Sequence, residues 1–222
     1  MMGGGRGVWL DDEKELYYEF LTLHQIFRWL NDGDNVLVIY PKIHILLAIF
    51  KLIRDLVGVE NLMWLPLSRT ADENLKRLLH RFRKRIPEDT GSIVPFPGTD
   101  EDPLKSLTEL LRRENFEKKV ILGYGIHLQP KQHDSNFDAI TMSLATERKG
   151  GRLFMFVKGG TVKREKFTLI EDLFDIILKI TEDRPSIDQS FVAEIYGPFI
   201  PYFELSYRFS LSNDYEVIFF DG

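Results

Sequence analysis

Near the start of the chain an unbroken apolar run is followed by a helical stripe. Residues 36–40 are five apolar or aromatic residues in succession, which is typical of a central strand covered on both faces. Pro41 follows, and proline cannot donate a hydrogen bond to a strand ladder, so we expect the strand to end in a tight turn at 40–42. Apolar residues then recur at helical spacing up to Gly58. They are Ile43, Leu46, Leu47, Phe50, Ile53 and Val57.

The alternation of strand and helix patterns continues along the chain. Short apolar runs predict further strands at residues 62–67, 119–122 and 153–157. Helices are predicted at 13–30, 75–86, after Asp102-Pro103, at 137–149 and at 169–174, with 87–102 as a surface loop. From residue 176 the pattern changes to four strand-like runs, at 176–181, 191–196, 203–209 and 216–220. Four βα units and an antiparallel β meander predict an α/β fold with one mixed sheet.

Composition narrows the range of functions. The 222 residues predict one α/β domain over 11–222 behind a flexible tail at 1–10. The sequence has no cysteine, which excludes disulfides, thiolate metal sites and cysteine nucleophiles. The net charge of −5 gives no global attraction to nucleic acid or anionic membranes. With no apolar run long enough to span a membrane, we expect a cytoplasmic protein.

The order of elements from about residue 23 to residue 222 resembles the RecA-like core of the KaiC/RadA group of ATPases. Four stretches carry the resemblance: 23–30 with Gly33, NLMWLPLSRTADENL at 61–75, Arg148-Lys149-Gly150-Gly151 before the fourth strand, and IEDLFDIILKI at 170–180 with the later YEVIFF. The resemblance implies a RecA-like three-layer α/β/α fold. Its central sheet would be mostly parallel, and the chain would end in an antiparallel β meander.

Three positions depart from the pattern of that group. A phosphate loop needs G-x-x-x-x-G-K-[ST], because glycines let backbone N–H groups surround the phosphates; this chain has Tyr40-Pro41-Lys42. The third strand is followed by Gly123-Tyr124-Gly125 in place of a metal-binding acid. Where the resemblance implies catalytic glutamates the chain has Ser68-Arg69, and arginine cannot act as a general base. We therefore expect degenerate Walker motifs, no ATP hydrolysis, and no catalytic, cofactor-binding or metal-binding residues.

Polar residues are predicted at the carboxyl ends of the strands, where open α/β sheets place their ligand crevice. One interpretation is a remnant anion or nucleotide-base site, or an enzyme of unrecognised type using His127 or Lys158. The other, which we favour, is that these are solvated strand ends. The candidate residues are Lys42, His44, Ser68, Arg69, Tyr124, His127 and Lys158.

A basic run in the predicted helix at 75–86 suggests a nucleic-acid-binding accessory protein as an alternative function. The simpler interpretation is a solvated helix face. Its candidate residues are Lys76, Arg77, Arg81, Lys84 and Arg85.

An aromatic turn suggests a contact with another protein. Phe199, Ile200 and Tyr202 fall between two strands of the meander, and an exposed apolar turn of this kind is typical of an interaction surface. The hypothesis that follows is a RecA/KaiC-like domain without ATP hydrolysis. It would act as a protein-binding or regulatory partner, either of another protein or of a second copy.

Overall fold

The computed structural model describes residues 30–86, 88–96, 102–128, 136–162, 167, 170–183, 190–198 and 205–219. The chain divides into two compact units, Met1–Leu30 and Asn31–Gly222. Leu30, the only described residue of the first unit, is buried. The expected tail at 1–10 and the body of the helix at 13–30 lie outside the described residues, and a single domain over 11–222 stays a prediction.

The described residues form one nine-stranded sheet with the order β3-β2-β4-β5-β1-β6-β7-β8-β9. Pairing is parallel from β3 to β6 and antiparallel from β6 to β9. This confirms the mostly parallel sheet with a C-terminal meander. The strands are β1 Asn35–Tyr40, β2 Leu62–Pro66, β3 Ser92–Ile93, β4 Val120–Tyr124, β5 Arg152–Lys158, β6 Ile176–Glu182, β7 Ser190–Tyr196, β8 Leu205–Leu211 and β9 Val217–Phe219.

Two strands correct the expectation from sequence. β6 was predicted to belong wholly to the antiparallel meander, but it pairs in parallel with β1 on one side and antiparallel with β7 on the other. β3 lies in the stretch 87–102 that was expected to be a loop, and it pairs in parallel with Met63 and Trp64 at the edge of the sheet. A two-residue strand carries no alternation pattern, so the sequence offered no signal for it.

Helices cover both faces of the sheet. Phe50 lies 5.2 Å, centroid to centroid, from Trp64, which places α1 on the face of the sheet that carries this tryptophan. On the opposite face, residues of α3 and α4 share an apolar core with alternate residues of the central strands, among them Leu37, Ile121 and Met155. The α-helices are α1 Ile43–Val57, α2 Arg69–Phe82, α3 Pro103–Arg113 and α4 Asn136–Thr146.

The helix ends follow local signals. The Asp102 carboxylate accepts a hydrogen bond from the Lys105 N–H at 3.0 Å, and Pro103 occupies the first turn of α3, as predicted. Gly58 ends α1, also as predicted. α2 begins at Arg69, well before the expected residue 75, because its first turns are polar and Ser68 caps them.

A half-buried guanidinium ties loops together at the amino end of the sheet. Arg148 Nη1 donates to the carbonyl oxygen of Gly151 at 2.9 Å. Its Nη2 donates to the Gly33 carbonyl at 2.9 Å and to Asn35 Oδ1 at 2.8 Å. We refer to these four residues as the amino-end clasp. Burial lowers the pKa of Arg148 to about 10, against the attraction of nearby carboxylates.

Two aspartates complete the surroundings of the clasp. Asp32 Oδ1 accepts hydrogen bonds from the N–H groups of Lys118 and Gly151, at 3.1 and 2.8 Å. Asp175 Oδ2 accepts from the Asn35 N–H at 2.6 Å, immediately before β6 begins. Both carboxylates attract the positive charge of Arg148. The clasp therefore fixes the starts of β1, β5 and β6 relative to one another.

Candidate functional site

Parallel pairing brings the carboxyl ends of four strands to one edge of the sheet. Tyr40 at the end of β1 is paired with Lys158 of β5, and Pro66 of β2 with Tyr124 of β4. The Gly159 N–H donates to the Tyr40 carbonyl at 2.8 Å, which joins the ends of β1 and β5. An open α/β sheet places its ligands at this edge.

Aromatic rings fill the edge between β1 and β4. The ring of His127 makes edge contacts with the rings of Tyr40 and Tyr124, at centroid distances of 6.3 and 6.0 Å. Tyr40 is 1% exposed and Tyr124 2% exposed, while His127 is half-buried. Tyr40 also lies against Phe156 at 6.4 Å. We call Tyr40, Tyr124 and His127 the aromatic plug.

α2 holds the plug from one side. The Tyr124 hydroxyl donates to Asn74 Oδ1 at 2.6 Å. Gly125 follows with φ +89°, and a Cβ atom at this position would lie 2.3 Å from the Ala71 Cβ. Only glycine fits such an approach in the left-handed region. Gly125 is therefore explained by the packing of α2 against the end of β4.

The titratable groups of the plug are held neutral by burial. Burial, and secondly the positive charge of Lys158, lower the pKa of His127 to about 4. Burial raises the pKa of Tyr124 to about 12 and also raises that of Tyr40, to which Tyr124 adds. Within the described part of the chain, His127 Nδ1 is buried without a hydrogen-bond partner. A ring in this state is a weak base near neutral pH.

The link between β1 and α1 consists of two residues only, Pro41 and Lys42. Lys42 occupies the N-cap position with no side-chain capping hydrogen bond, and its Nζ lies 3.1 Å from Glu182 Oε1 of β6. Both side chains are close to half exposed, so the ion pair adds little stability. The lysine side chain is directed to the carboxylate of Glu182 at the carboxyl end of β6.

Ser68 and Arg69 lie where β2 leads into α2. Ser68 caps the helix and Arg69 faces the solvent. The Ser68 hydroxyl is buried and accepts from the Ala71 N–H at 3.0 Å, which caps α2. Arg69 is exposed, with its Nε 3.5 Å from Glu73 Oε1 one helical turn on. These contacts explain both residues without a ligand.

His44 lies in a second aromatic cluster. Its ring stacks on Tyr215 at 5.1 Å and meets Phe82 edge-on at 6.0 Å. Burial, followed by Arg85 and Lys42, lowers the pKa of His44. Tyr215 belongs to the turn between β8 and β9, so the first turn of α1 contacts the meander.

The other predicted sites lie on the surface or outside the described residues. Lys76, Arg77 and Arg81 are on α2, and Lys84 and Arg85 follow its end; all five are exposed. Phe199, Ile200 and Tyr202 lie outside the described residues, in the connection between β7 and β8. The register places the end of β7 beside the start of β6, at the end of the sheet opposite the aromatic plug.

The described residues hold no cluster of three potential metal ligands from His, Asp and Glu. No helix among them is long and apolar enough to cross a membrane.

Tyr40 and Asn74 belong to the carboxyl-end edge of the sheet but were not predicted from the sequence. Tyr40 could have been predicted there, because it carries a hydroxyl group and is the last residue of a buried strand.

Comparisons with known proteins find similarity in structure alone. No protein-family model matches the sequence, and no curated protein matches it. The uncharacterized protein PH0321 from Pyrococcus horikoshii, solved in complex with an unknown peptide, aligns with TM-score 0.62 and 12% identity over 92% of this chain and 99% of its own.

Two further solved structures are similar. The flagellar accessory protein FlaH from Methanocaldococcus jannaschii has TM-score 0.54 and 11% identity, over 87% of this chain and 92% of FlaH. The KaiC-like protein PH0186 from Pyrococcus horikoshii OT3 has TM-score 0.54 and 13% identity, over 86% of this chain and 91% of its own.

Proposed function

The chain has the RecA/KaiC-like fold, and on that premise we propose that it does not hydrolyse ATP and acts as a protein-binding or regulatory partner. The fold resemblance expected from sequence is confirmed by the structural neighbours. The loss of hydrolysis and the regulatory role are inferences from the residues at the strand ends.

The observation that carries the proposal is the link between β1 and α1. A phosphate loop surrounds its ligand with backbone N–H groups and supplies a lysine and a hydroxyl. Here two residues connect strand to helix; Pro41 has no N–H, and Lys42 is directed to Glu182. Neither the donors nor the free lysine of such a loop are provided.

The aromatic plug supports the same conclusion. Tyr40 and Tyr124 are buried side chains with raised pKa values, and His127 contacts both. β4 ends in Gly123 and Tyr124, so it offers no carboxylate to a magnesium ion. Phosphoryl transfer depends on electrostatic stabilisation of the transferring group. The three neutral side chains of the plug are poorly suited to it.

Two structural neighbours make a protein partner the favoured role. FlaH is described as a flagellar accessory protein, and PH0321 was solved with a bound peptide. The same fold can therefore serve an accessory role and can bind a peptide. In this chain the connection that contains Phe199, Ile200 and Tyr202 remains the predicted contact.

Nucleotide binding is tested by calorimetry and by phosphate release. We expect no heat of binding from ATP with Mg²⁺ and no phosphate release above a protein-free blank, with an active P-loop ATPase as the positive control. An ATP affinity in the micromolar range with Mg²⁺-dependent turnover would refute the proposal.

Partner binding is tested by affinity capture from an extract of the source organism at two salt concentrations, with nuclease treatment. Light scattering on the purified protein tests self-association. We expect a nuclease-resistant protein partner, or a dimer, that is lost in the triple variant Phe199→Ser, Ile200→Ser, Tyr202→Ser. Ile187→Ser, in the connection between β6 and β7, is the matched control. An equal effect of both variants would argue against the aromatic connection as the contact.

A further inference from the structure

The end of α2 and the turn after it form the densest group of like charges among the described residues. Every basic side chain from residue 76 to residue 85 is exposed. The whole protein has a formal net charge of −5, so this surface is a local exception. We call it the basic segment; it comprises Lys76, Arg77, His80, Arg81, Arg83, Lys84 and Arg85.

Most of these charges are not compensated. Lys76 Nζ lies 2.8 Å from Asp72 Oδ2. Within the described parts of the chain the other lysine and arginine residues of the segment form no ion pair with a carboxylate. Arg81 and Arg85 instead lie over the rings of Phe82 and Tyr215, at 5.8 and 5.6 Å from the ring centroids. Five cationic groups therefore remain available to an anionic partner.

The rest of the fold holds the basic segment in place. Leu75, Leu79 and Ile86 are buried. Arg85 Nη1 donates to the Tyr215 hydroxyl at 2.9 Å, and Tyr215 is only 5% exposed. The charges are thus presented by an anchored helix end, which lowers the entropic cost of binding.

The spacing of three of the cations suits an extended polyanion. Arg77, Arg81 and Lys84 are separated by four and three residues, and Arg83 after the helix end still has helical dihedrals, φ −51° and ψ −23°. At 1.5 Å per residue the three positions follow one another over about 10 Å. This length matches about three nucleotides of a strand that rises about 3.4 Å per nucleotide.

The chemistry of the segment selects among polyanions. Its apolar side is buried in the fold, so it cannot insert into a lipid surface as an amphipathic helix does. It exposes no large apolar side chain that could form the core of a protein interface. Arginine predominates, and its planar guanidinium binds phosphate oxygens in pairs.

From these observations we propose that the basic segment binds the phosphate backbone of a nucleic acid and does not recognise its bases. Phe82 is half-buried and lies beneath Arg81, so the segment offers no aromatic ring for base stacking. Binding is therefore independent of sequence and driven by counterion release. This function is separate from the protein contact proposed above and uses different residues.

The test is fluorescence anisotropy of labelled 20-nucleotide single strands and duplexes of two unrelated sequences, titrated with the full chain at several salt concentrations. We expect equal affinity for the two sequences. With up to five cations engaged, the slope of log K against log salt should reach about −3.5 for single strands and about −4.5 for duplexes. Absence of binding at low salt, or a clear sequence preference, would overturn the proposal.

Two triple variants with equal loss of charge locate the surface. The first variant combines Arg77→Gln, Arg81→Gln and Lys84→Gln. It should weaken binding by about tenfold or more at low salt and reduce the slope of log K against log salt by about 2 to 3. The control replaces Lys105, Arg112 and Arg113 of α3 by glutamine; Arg112 and Arg113 already face the carboxylates of Glu147 and Glu114.

The control variant should bind as the wild type does, and circular dichroism is used to check that both variants are folded. Equal losses in the two variants would mean that net charge alone is responsible, which refutes the assignment. Polyglutamate and phosphatidylserine vesicles are tested in parallel. Binding to either one in place of nucleic acid would also refute it. These binding results are independent of the predicted lack of ATP binding and of the predicted contact at Phe199, Ile200 and Tyr202.

Discussion

The buried imidazole of the aromatic plug should make stability depend on pH. The pKa of His127 is lowered from 6.5 to about 4 in the folded protein, first by burial and then by Lys158. The unfolded chain therefore takes up a proton at a higher pH than the folded chain. The contribution of His127 is fully present above about pH 6.5 and is lost progressively as the pH falls towards 4.

The magnitude follows from the difference between the two pKa values. Each unit corresponds to about 1.4 kcal/mol, so the lowered pKa amounts to about 3 kcal/mol of unfolding free energy between these limits. His127→Phe keeps a ring beside Tyr40 and Tyr124 and removes the titration. Carboxylates also protonate over this range, but their effect is common to both proteins and cancels in the difference.

The assay is urea unfolding followed by circular dichroism at pH 7.5, 6.5, 5.5 and 4.5. The free energy of unfolding of His127→Phe, relative to wild type, should rise steadily as the pH falls, approaching about 3 kcal/mol at the acid end. His80→Gln removes an exposed histidine from α2 and is the matched control. Parallel pH profiles for wild type and His127→Phe would show that His127 is not held neutral by the fold.

Two further predictions concern packing and charge. Gly125→Ala should lower the unfolding free energy by about 3 kcal/mol, because the new Cβ would lie 2.3 Å from Ala71 Cβ at φ +89°. Gly160→Ala has φ +75° but open space around it, and should cost only about 1 kcal/mol in the same urea titration; equal losses would contradict the steric explanation. Arg148→Met should cost about 1–3 kcal/mol, since it leaves the partly buried acceptors of the amino-end clasp without their donor. Arg112→Met, on an exposed pair, should leave the urea midpoint nearly unchanged, and a midpoint for Arg148→Met close to that of the control would refute the clasp as a stabilising unit.

Local patterns in the sequence were sufficient to locate most of the sheet and its helices. The apolar run at 36–40 and the stripe that starts at Ile43 predicted β1 and α1 to within a residue. A strand covered on both faces is a continuous apolar run, whereas an amphipathic helix repeats its apolar residues every three to four positions. Asp102-Pro103 marked the start of α3 for a similar reason, since capping depends on neighbouring residues.

Features that depend on distant residues could not be predicted in this way. In the parallel pairing of β6, its start lies beside the start of β1, where Asp175 accepts a hydrogen bond from Asn35. Apolar alternation along a strand does not reveal this direction. The aromatic plug joins Tyr40 to Tyr124 and His127, which meet only through the register of β1, β5 and β4. The sequence predicted that Tyr124 and His127 lie at the carboxyl ends of the strands. It did not predict that their rings pack there with the ring of Tyr40.

The strand order also has a consequence for the order in which the protein folds. β1 is synthesised well before its two neighbours in the sheet, which are residues 152–158 and 176–182. A nascent chain therefore carries an apolar central strand without partners until those residues emerge from the ribosome. By contrast, β7, β8 and β9 pair with their immediate neighbours in the chain, and such local hairpins form quickly. The meander can thus form as soon as it is released, while closure of the central sheet is late, slow and the step most exposed to aggregation.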